Sequence, residues 1–505
     1  MYLSKYDINQ AVKAFRMKAY RSFEEGNFKQ TLYWIGKCSE VGCQFNLMYE
    51  DPGIEELYVS LSHSLNRPVE SFTPDPGKIV FYDEFCISYV LSLQWVEALA
   101  ATGKDILYIT TREIRPDKLK SDILSRVSEY KNIQIRVISE KDDIDTGKAL
   151  FNAIVAFRPA QLILQMRVNS PANLMLSALP KEILRYNINL DDQTLWYGTH
   201  GIDYILEFRP FGASVSLQKR GFRKDRLLMV PFYPADDKNR FQGFPPECTA
   251  DKVVIFSGGD FYKTLDESRM YWKLVADILH RWDNVVFVFA SKSIPEGDKV
   301  IKDFVASQRL DGRFIHITFR PDIYQVFAHC DIYMGTCPTS GSLMSQLAAI
   351  NKKPILQYYA PGTPDDETEQ AICWNDSFKI SFDNEADFIK EAERLIATPS
   401  YRESQGQRLY NAMIKPDQFN AIVAKTLETN QSQFPITEEN IDYDSLDDRW
   451  YYLEKGGFRH AMPYVYGLLG PKDCLKYAPS VFFKKNLNRF FVSPFQRISA
   501  WLRKH

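Results

Sequence analysis

At 505 residues the chain is too long for one core, so two or three domains are expected. With 45% apolar and 25% charged residues it reads as an ordinary globular protein, and a formal net charge of -2 excludes a nucleic-acid binder built on a strongly basic body. There is no N-terminal apolar h-region and no run of about 18 apolar residues, so neither a signal peptide nor a membrane span is expected. The eight cysteines form no C-x-x-C pair and no zinc spacing with histidine, which fits reduced thiols in a cytoplasmic protein.

Residues up to about Leu65 read as helices, with two amphipathic segments meeting at a Gly26-Asn27 turn. This hairpin is similar to one tetratricopeptide unit, without a second copy at that period. It is read either as a helical pair packed on the next domain or as a partner-docking module. Pro68, Pro74, Pro76 and Gly77 then mark a boundary.

From Lys78 apolar strands alternate with helices: KIVFYD, DILYIT, IQIRVI, QLILQM and LRYNINL as strands, with helices between them, one of them around Asn173 to Leu179. Alternation of this kind predicts a parallel sheet whose strands end, at their carboxyl edge, on a ligand. Asp83 and Glu84 follow the first strand, and His200 lies in a Gly-flanked loop further on. The segment near 226–237, RLLMVPFYPADD, reads as an extended connector.

A second block starts at Lys252. KVVIFSGGD is a strand running into the turn Gly258-Gly259, and the following helix carries Tyr271, Leu274, Val275, Ile278 and Leu279 as an apolar stripe. VVFVFA, FIHITF, IYMGT, ILQYY and FKISF supply further strands. Between IYMGT and ILQYY stands the loop CPTSGS, with a helix expected from about Gly341 to Ile350. Thr339, Ser340 and Ser342 crowd its start, where free N–H groups favour an anion. Lys263 and Arg320, each just past a strand, are the cations placed to meet it.

These residues resemble the two-Rossmann glycosyltransferases called GT-B, over roughly residues 78–430. The resemblance implies two doubly wound parallel-sheet domains facing a cleft, an acceptor on the first and a nucleotide-sugar on the second. It implies a phosphate turn at Thr339, Ser340, Gly341 and Ser342, a ribose contact at Gln346 where relatives carry an acid, and Asn351 in the place of a helix-ending glycine. The turn is somewhat similar to that of protein O-GlcNAc transferases. The paired acids of retaining relatives would fall on Pro338 and Gln346, so inversion is expected, with Asp83, Glu84 or His200 as base. No D-x-D triplet follows a strand at the donor site, so no metal is expected, and no cofactor beyond a donor such as a UDP-sugar.

The reading divides the chain into an N-terminal helical region (1–75), an acceptor domain (76–240), a donor domain (241–430), and a linker with a basic, aromatic tail (431–505). The tail mixes Lys484, Lys485 and Arg489 with Phe482, Phe483, Phe490 and Phe491, suited to the inner face of a membrane or to packing back on the first domain. The expectation is a glycosyltransferase of bacterial surface polysaccharide assembly acting on a saccharide or lipid-linked acceptor, with no nucleic-acid partner. A sugar-nucleotide epimerase of the same fold and a non-catalytic scaffold are the rival readings.

Overall fold

A computed structural model describes residues 4–46, 48–84, 89–111, 118–236, 238–266, 268–318, 320–359, 364–448 and 461–486. The chain opens with three helices, α1 (Lys5–Glu24), α2 (Phe28–Phe45) and α3 (Pro52–Leu65). The α1–α2 turn falls where expected: Gly26 takes a positive φ of 71°, and the Asn27 side chain caps α2 by accepting from the Gln30 amide.

The first sheet has seven parallel strands in the order β3-β2-β1-β4-β5-β6-β7. They are β1 (Asp75–Asp83), β2 (Asp105–Thr111), β3 (Ile133–Ile138), β4 (Pro159–Gln165), β5 (Leu184–Ile188), β6 (Tyr204–Glu207) and β7 (Leu227–Met229). Helices α4 (Tyr89–Ala101), α5 (Lys118–Val127), α6 (Asp143–Phe157) and α7 (Pro210–Gln218) connect them. The helix expected around Asn173 to Leu179 is instead two 3-10 turns, Pro171–Leu174 and Leu176–Ala178. Helix α3 takes the backbone groups that an α-helix would need: the Asn66 amide donates to the Leu174 carbonyl at 2.7 Å, and the Ala178 N–H donates to Ser62 Oγ at 3.0 Å. The Leu227–Met229 part of the expected connector is itself a strand, paired in parallel with β6.

The second sheet has six strands, β8 (Val253–Gly258), β9 (Val285–Ala290), β10 (Phe314–Ile317), β11 (Ile332–Met334), β12 (Ile355–Tyr358) and β13 (Ser381–Phe382), in the order β10-β9-β8-β11-β12-β13. Its helices are α8 (Met270–Arg281), α9 (Pro295–Gln308), α10 (Ile323–His329), α11 (Ser342–Ile350), α12 (Glu367–Gln370), α13 (Glu385–Ala397), α14 (Pro399–Ala412) and α15 (Pro416–Thr429). Every residue of β8 is buried, as apolar runs covered on both faces of a parallel sheet must be. All five stripe residues of α8 are buried against it. Strand order reverses between β8 and β11, so the carboxyl ends diverge there and leave a crevice.

Helix α15 returns to the first domain and packs on α4. Phe419 meets Trp95 edge-on, and Gln161 donates to the Leu427 carbonyl at 2.7 Å. The C-terminal helix Ala461–Tyr477, broken at Gly470, packs on α1 and buries Val465, Leu469 and Cys474 in the core of the N-terminal helices. A helical stretch over 479–486 continues it, with Val481 buried, Lys484 paired with Asp7, and Phe483 53% exposed. Residues 472–486 of the tail thus pack on the N-terminal helices. The remainder of the proposed membrane segment, with Arg489, Phe490 and Phe491, lies outside the described residues.

Candidate functional site

At the switch point of the second sheet a cavity of about 690 Å³ is lined by residues past β8 (Gly259, Asp260, Lys263), past β9 (Ser291, Lys292), past β10 (Thr318, Arg320) and by the first turn of α11. The turn that feeds α11 is made of small residues, and Gly341 at the helix start offers no side-chain cap, so the first N–H groups of the helix stay open. The hydroxyls of Thr339 and Ser340 are buried without a hydrogen-bond partner. Of the two, Ser340 lines a smaller cavity that also takes in Lys263 and Ser342, where a ligand can reach it.

Lys263 threads between the two glycines of the site. A Cβ on Gly341 would stand 3.9 Å from its Nζ, and one on Gly259 would stand 3.5 Å from its Cδ. Gly259 also has a φ of 151°, which a side chain would strain. The ammonium has no hydrogen-bond or ion-pair partner among the described residues. Burial holds its pKa below the ordinary lysine value, against the pull of Asp260 and Glu367. An anion brought here would meet a desolvated cation and open helix N–H groups together, with the Ser340 hydroxyl lining the smaller cavity alongside. Gly259, Lys263, Gly341 and Ser342 are thus gathered in this cavity as the sequence reading expected, and Ser340 lines a smaller one beside it, whereas Gly258 and Thr339 line neither; Gly258 packs within 3.2 Å of Met344, measured from a Cβ placed on it.

Two other donor-site residues are gathered but already engaged. Arg320 lines the cavity, yet its Nε and Nη2 both donate to Asp322 at 2.7 Å and Nη1 donates to the Gly243 carbonyl at 2.9 Å. It anchors the connector to α10. Gln346 donates from Nε2 to the carbonyls of Phe232 (3.2 Å) and Ala371 (3.0 Å), so its N–H donors are spent and only its Oε1 is left to accept from a ribose diol. The left-handed residue after α11 is Lys352 (φ 57°), not Asn351, whose φ is -90° and whose side-chain amide donates back to the Leu347 carbonyl. The same spacing counted from Lys352 lands on Leu347, which is buried and apolar.

On the first domain Asp83 and Glu84 stand at the carboxyl end of β1, both buried. Asp83 accepts from the Tyr108 hydroxyl at 2.8 Å; Glu84 accepts from the Arg167 amide at 3.0 Å, and burial raises its pKa. His200 lies elsewhere. It sits in the turn Thr199–Gly201 before β6, with its Nε2 3.8 Å from Glu50 and its backbone N–H donating to Glu55 of α3.

A group that the sequence reading passed over joins the domains. Arg209, just past β6, forms a bidentate pair with Asp192 (2.6 and 3.0 Å) and donates to Glu367 of the second domain at 2.9 Å. Gln370 accepts from the Phe211 amide at 2.8 Å beside it. The one local signal was a charged residue set between an apolar strand and the proline that opens α7.

No known protein family model matches the chain, and no curated protein sequence matches it. Among solved structures, a glycosyltransferase from Rickettsia africae is similar with a TM-score of 0.51 and 11% identity, over 71% of this chain and 100% of that one. A mutant O-GlcNAc transferase from Thermobaculum terrenum is similar with a TM-score of 0.49 and 13% identity, over 88% and 83%. A UDP-GlcNAc 2-epimerase from Neisseria meningitidis, bound to UDP-GlcNAc, has a TM-score of 0.47 and 12% identity, over 70% and 100%. The likeness to the Rickettsia protein is one of fold: two parallel-sheet α/β domains of the GT-B kind.

Proposed function

We propose that the protein is a glycosyltransferase that moves a sugar from a nucleoside-diphosphate donor, of the UDP-sugar class, to a saccharide or lipid-linked acceptor with inversion at the anomeric carbon. The observation that carries this reading is the unpaired, desolvated Lys263 ammonium set against the open N-terminus of α11, with the Ser340 hydroxyl beside it. That combination suits a diphosphate, and the crevice at the strand-order reversal is where a doubly wound sheet takes a nucleotide.

In the reaction the bond between the anomeric carbon and the phosphate oxygen breaks, and its electron pair stays on the phosphate. Lys263 and the helix N-terminus meet that added charge. The acceptor oxygen forms the new bond from the opposite face, and its proton passes to a carboxylate at the carboxyl end of β1, Asp83 or Glu84. Burial raises the pKa of Glu84, which suits a general base of the kind such a step uses. The acceptor's place in surface polysaccharide assembly, and a membrane contact through residues 487–505, belong to the same proposal.

The test is a thermal-shift and calorimetric screen of the full chain against nucleoside diphosphates and their sugars, followed by product analysis. UDP or a UDP-sugar should raise the melting temperature, since it binds only the folded state, and sugar should be released slowly to water without acceptor. Conversion of one free nucleotide-sugar into another would replace transfer with epimerisation. No shift with any nucleoside diphosphate at millimolar concentration would overturn the donor site itself.

A further inference from the structure

Beside the donor turn a second, smaller cavity of about 170 Å³ lies between the domains, and Arg209, Lys263, Ser340 and Ser342 share its lining with Asp192. Its two cations come from different domains. The Arg209 side chain is 3% exposed and sits against the rings of Phe208 and Phe211, with its guanidinium carbon 5.1 and 5.0 Å from their centroids. A guanidinium carries five N–H donors. Three are spent, two on Asp192 and one on Glu367, which leaves two without a partner among the described residues. A buried, half-used guanidinium next to an unpaired ammonium and the unpartnered Ser340 hydroxyl is a set of donors lacking one multidentate anion.

We propose that Arg209 is a second cation of the diphosphate site, reaching from the first domain to the phosphate that leaves, and that Glu367 occupies this guanidinium as a competing carboxylate until the phosphate arrives. The proposal rests on the donor reading above and adds a residue from the acceptor domain to it. The departing diphosphate gains one negative charge when the anomeric bond breaks, and a donor fixed on the acceptor domain meets that charge only while the two domains are together. Arg209 would thereby tie leaving-group stabilisation to the presence of the acceptor's own domain. Glu367 reaches both cations electrostatically, so its effect must be separated from that of Lys263.

The experiment titrates the full-length protein with UDP, inorganic pyrophosphate and uridine by calorimetry, for the wild type, Arg209→Gln, Glu367→Gln, Lys263→Met and the double variant Lys263→Met/Glu367→Gln. Loss of a charge-assisted contact should weaken UDP and pyrophosphate by about tenfold or more in Arg209→Gln and leave uridine unchanged. Glu367→Gln should tighten both phosphates by about threefold or more, and the gain should persist when Lys263 is absent. If Arg209→Gln does not fold, the double variant decides: a gain over Lys263→Met supports the proposal and no gain overturns it. UDP affinities in Arg209→Gln and Glu367→Gln within twofold of wild type, with Lys263→Met clearly weaker, would leave the donor reading standing and reduce Arg209 to a tie between domains. Absence of UDP binding to the wild type would overturn both.

Discussion

The two sheets share one topology up to the strand-order reversal, yet their carboxyl edges are furnished in opposite ways. The edge of the second sheet ends in glycines, small hydroxyls and a lysine without a partner. The edge of the first carries two buried carboxylates at the end of β1 and neutral groups at the ends of its neighbours, and its cation past β6, Arg209, is already bound to Asp192 and Glu367. Gln165 has both amide atoms unpartnered, and the Thr110 hydroxyl and Asn187 Oδ1 are likewise unmatched. A cationic edge with open N–H groups favours phosphate, whereas neutral amides and carboxylates favour hydroxyl groups. The scaffold therefore says only where ligands go, and the side chains at strand ends say which.

This division can be broken by variants that strike one edge at a time. The largest expected effect is at the first edge. Glu84→Gln should lower turnover by about 10²–10⁴-fold, the usual span for a lost general base, while UDP affinity by calorimetry stays unchanged. Equal losses in turnover and donor affinity would show that the two edges do not work separately.

At the second edge, Lys263→Met should weaken UDP by about ten- to a hundredfold. The same residue gives a pH signature. Burial lowers the pKa of its ammonium, so the cation that binds phosphate is present at low pH and is lost earlier than an ordinary lysine as pH rises. Wild-type UDP affinity should therefore fall on the alkaline side, and Lys263→Met should show a flatter profile over the same range.

The smallest effect on the donor is expected at Gln346. Replacing it with Leu leaves two buried carbonyls unmatched and should cost about 1–3 kcal/mol of stability in urea unfolding, with UDP affinity within about threefold of wild type. A loss of UDP affinity as large as that of Lys263→Met would restore Gln346 as a direct ligand contact.

What could be read from the sequence was what local chemistry decides. The central strands of both sheets are short apolar runs buried on both faces, and the turn before α11 is a contiguous string whose small residues and helix start can be read without the rest of the chain. The partners of Arg209 lie 17 and 158 residues away, and nothing in a local pattern pairs them. Arg320 shows the converse: a strand-end cation is a sound candidate for phosphate until an aspartate two residues on takes both of its forks. Strand β7, with three residues between prolines and polar turns, is too short for period to declare itself. The Lys352 turn moved by one residue because the Asn351 amide found a carbonyl in its own helix.

The return of α15 to α4 has a mechanical meaning. The backbone crosses between the domains once past β7, where the Phe232 carbonyl holds Gln346, and again at α15, so the two halves are tethered twice. A single tether permits swivelling about any axis, whereas two spaced tethers permit only folding about the line that joins them, as covers turn on a spine. Gln346 is the middle residue of α11 and is fastened at the first crossing, so this helix is held near that line and is displaced least when the halves part.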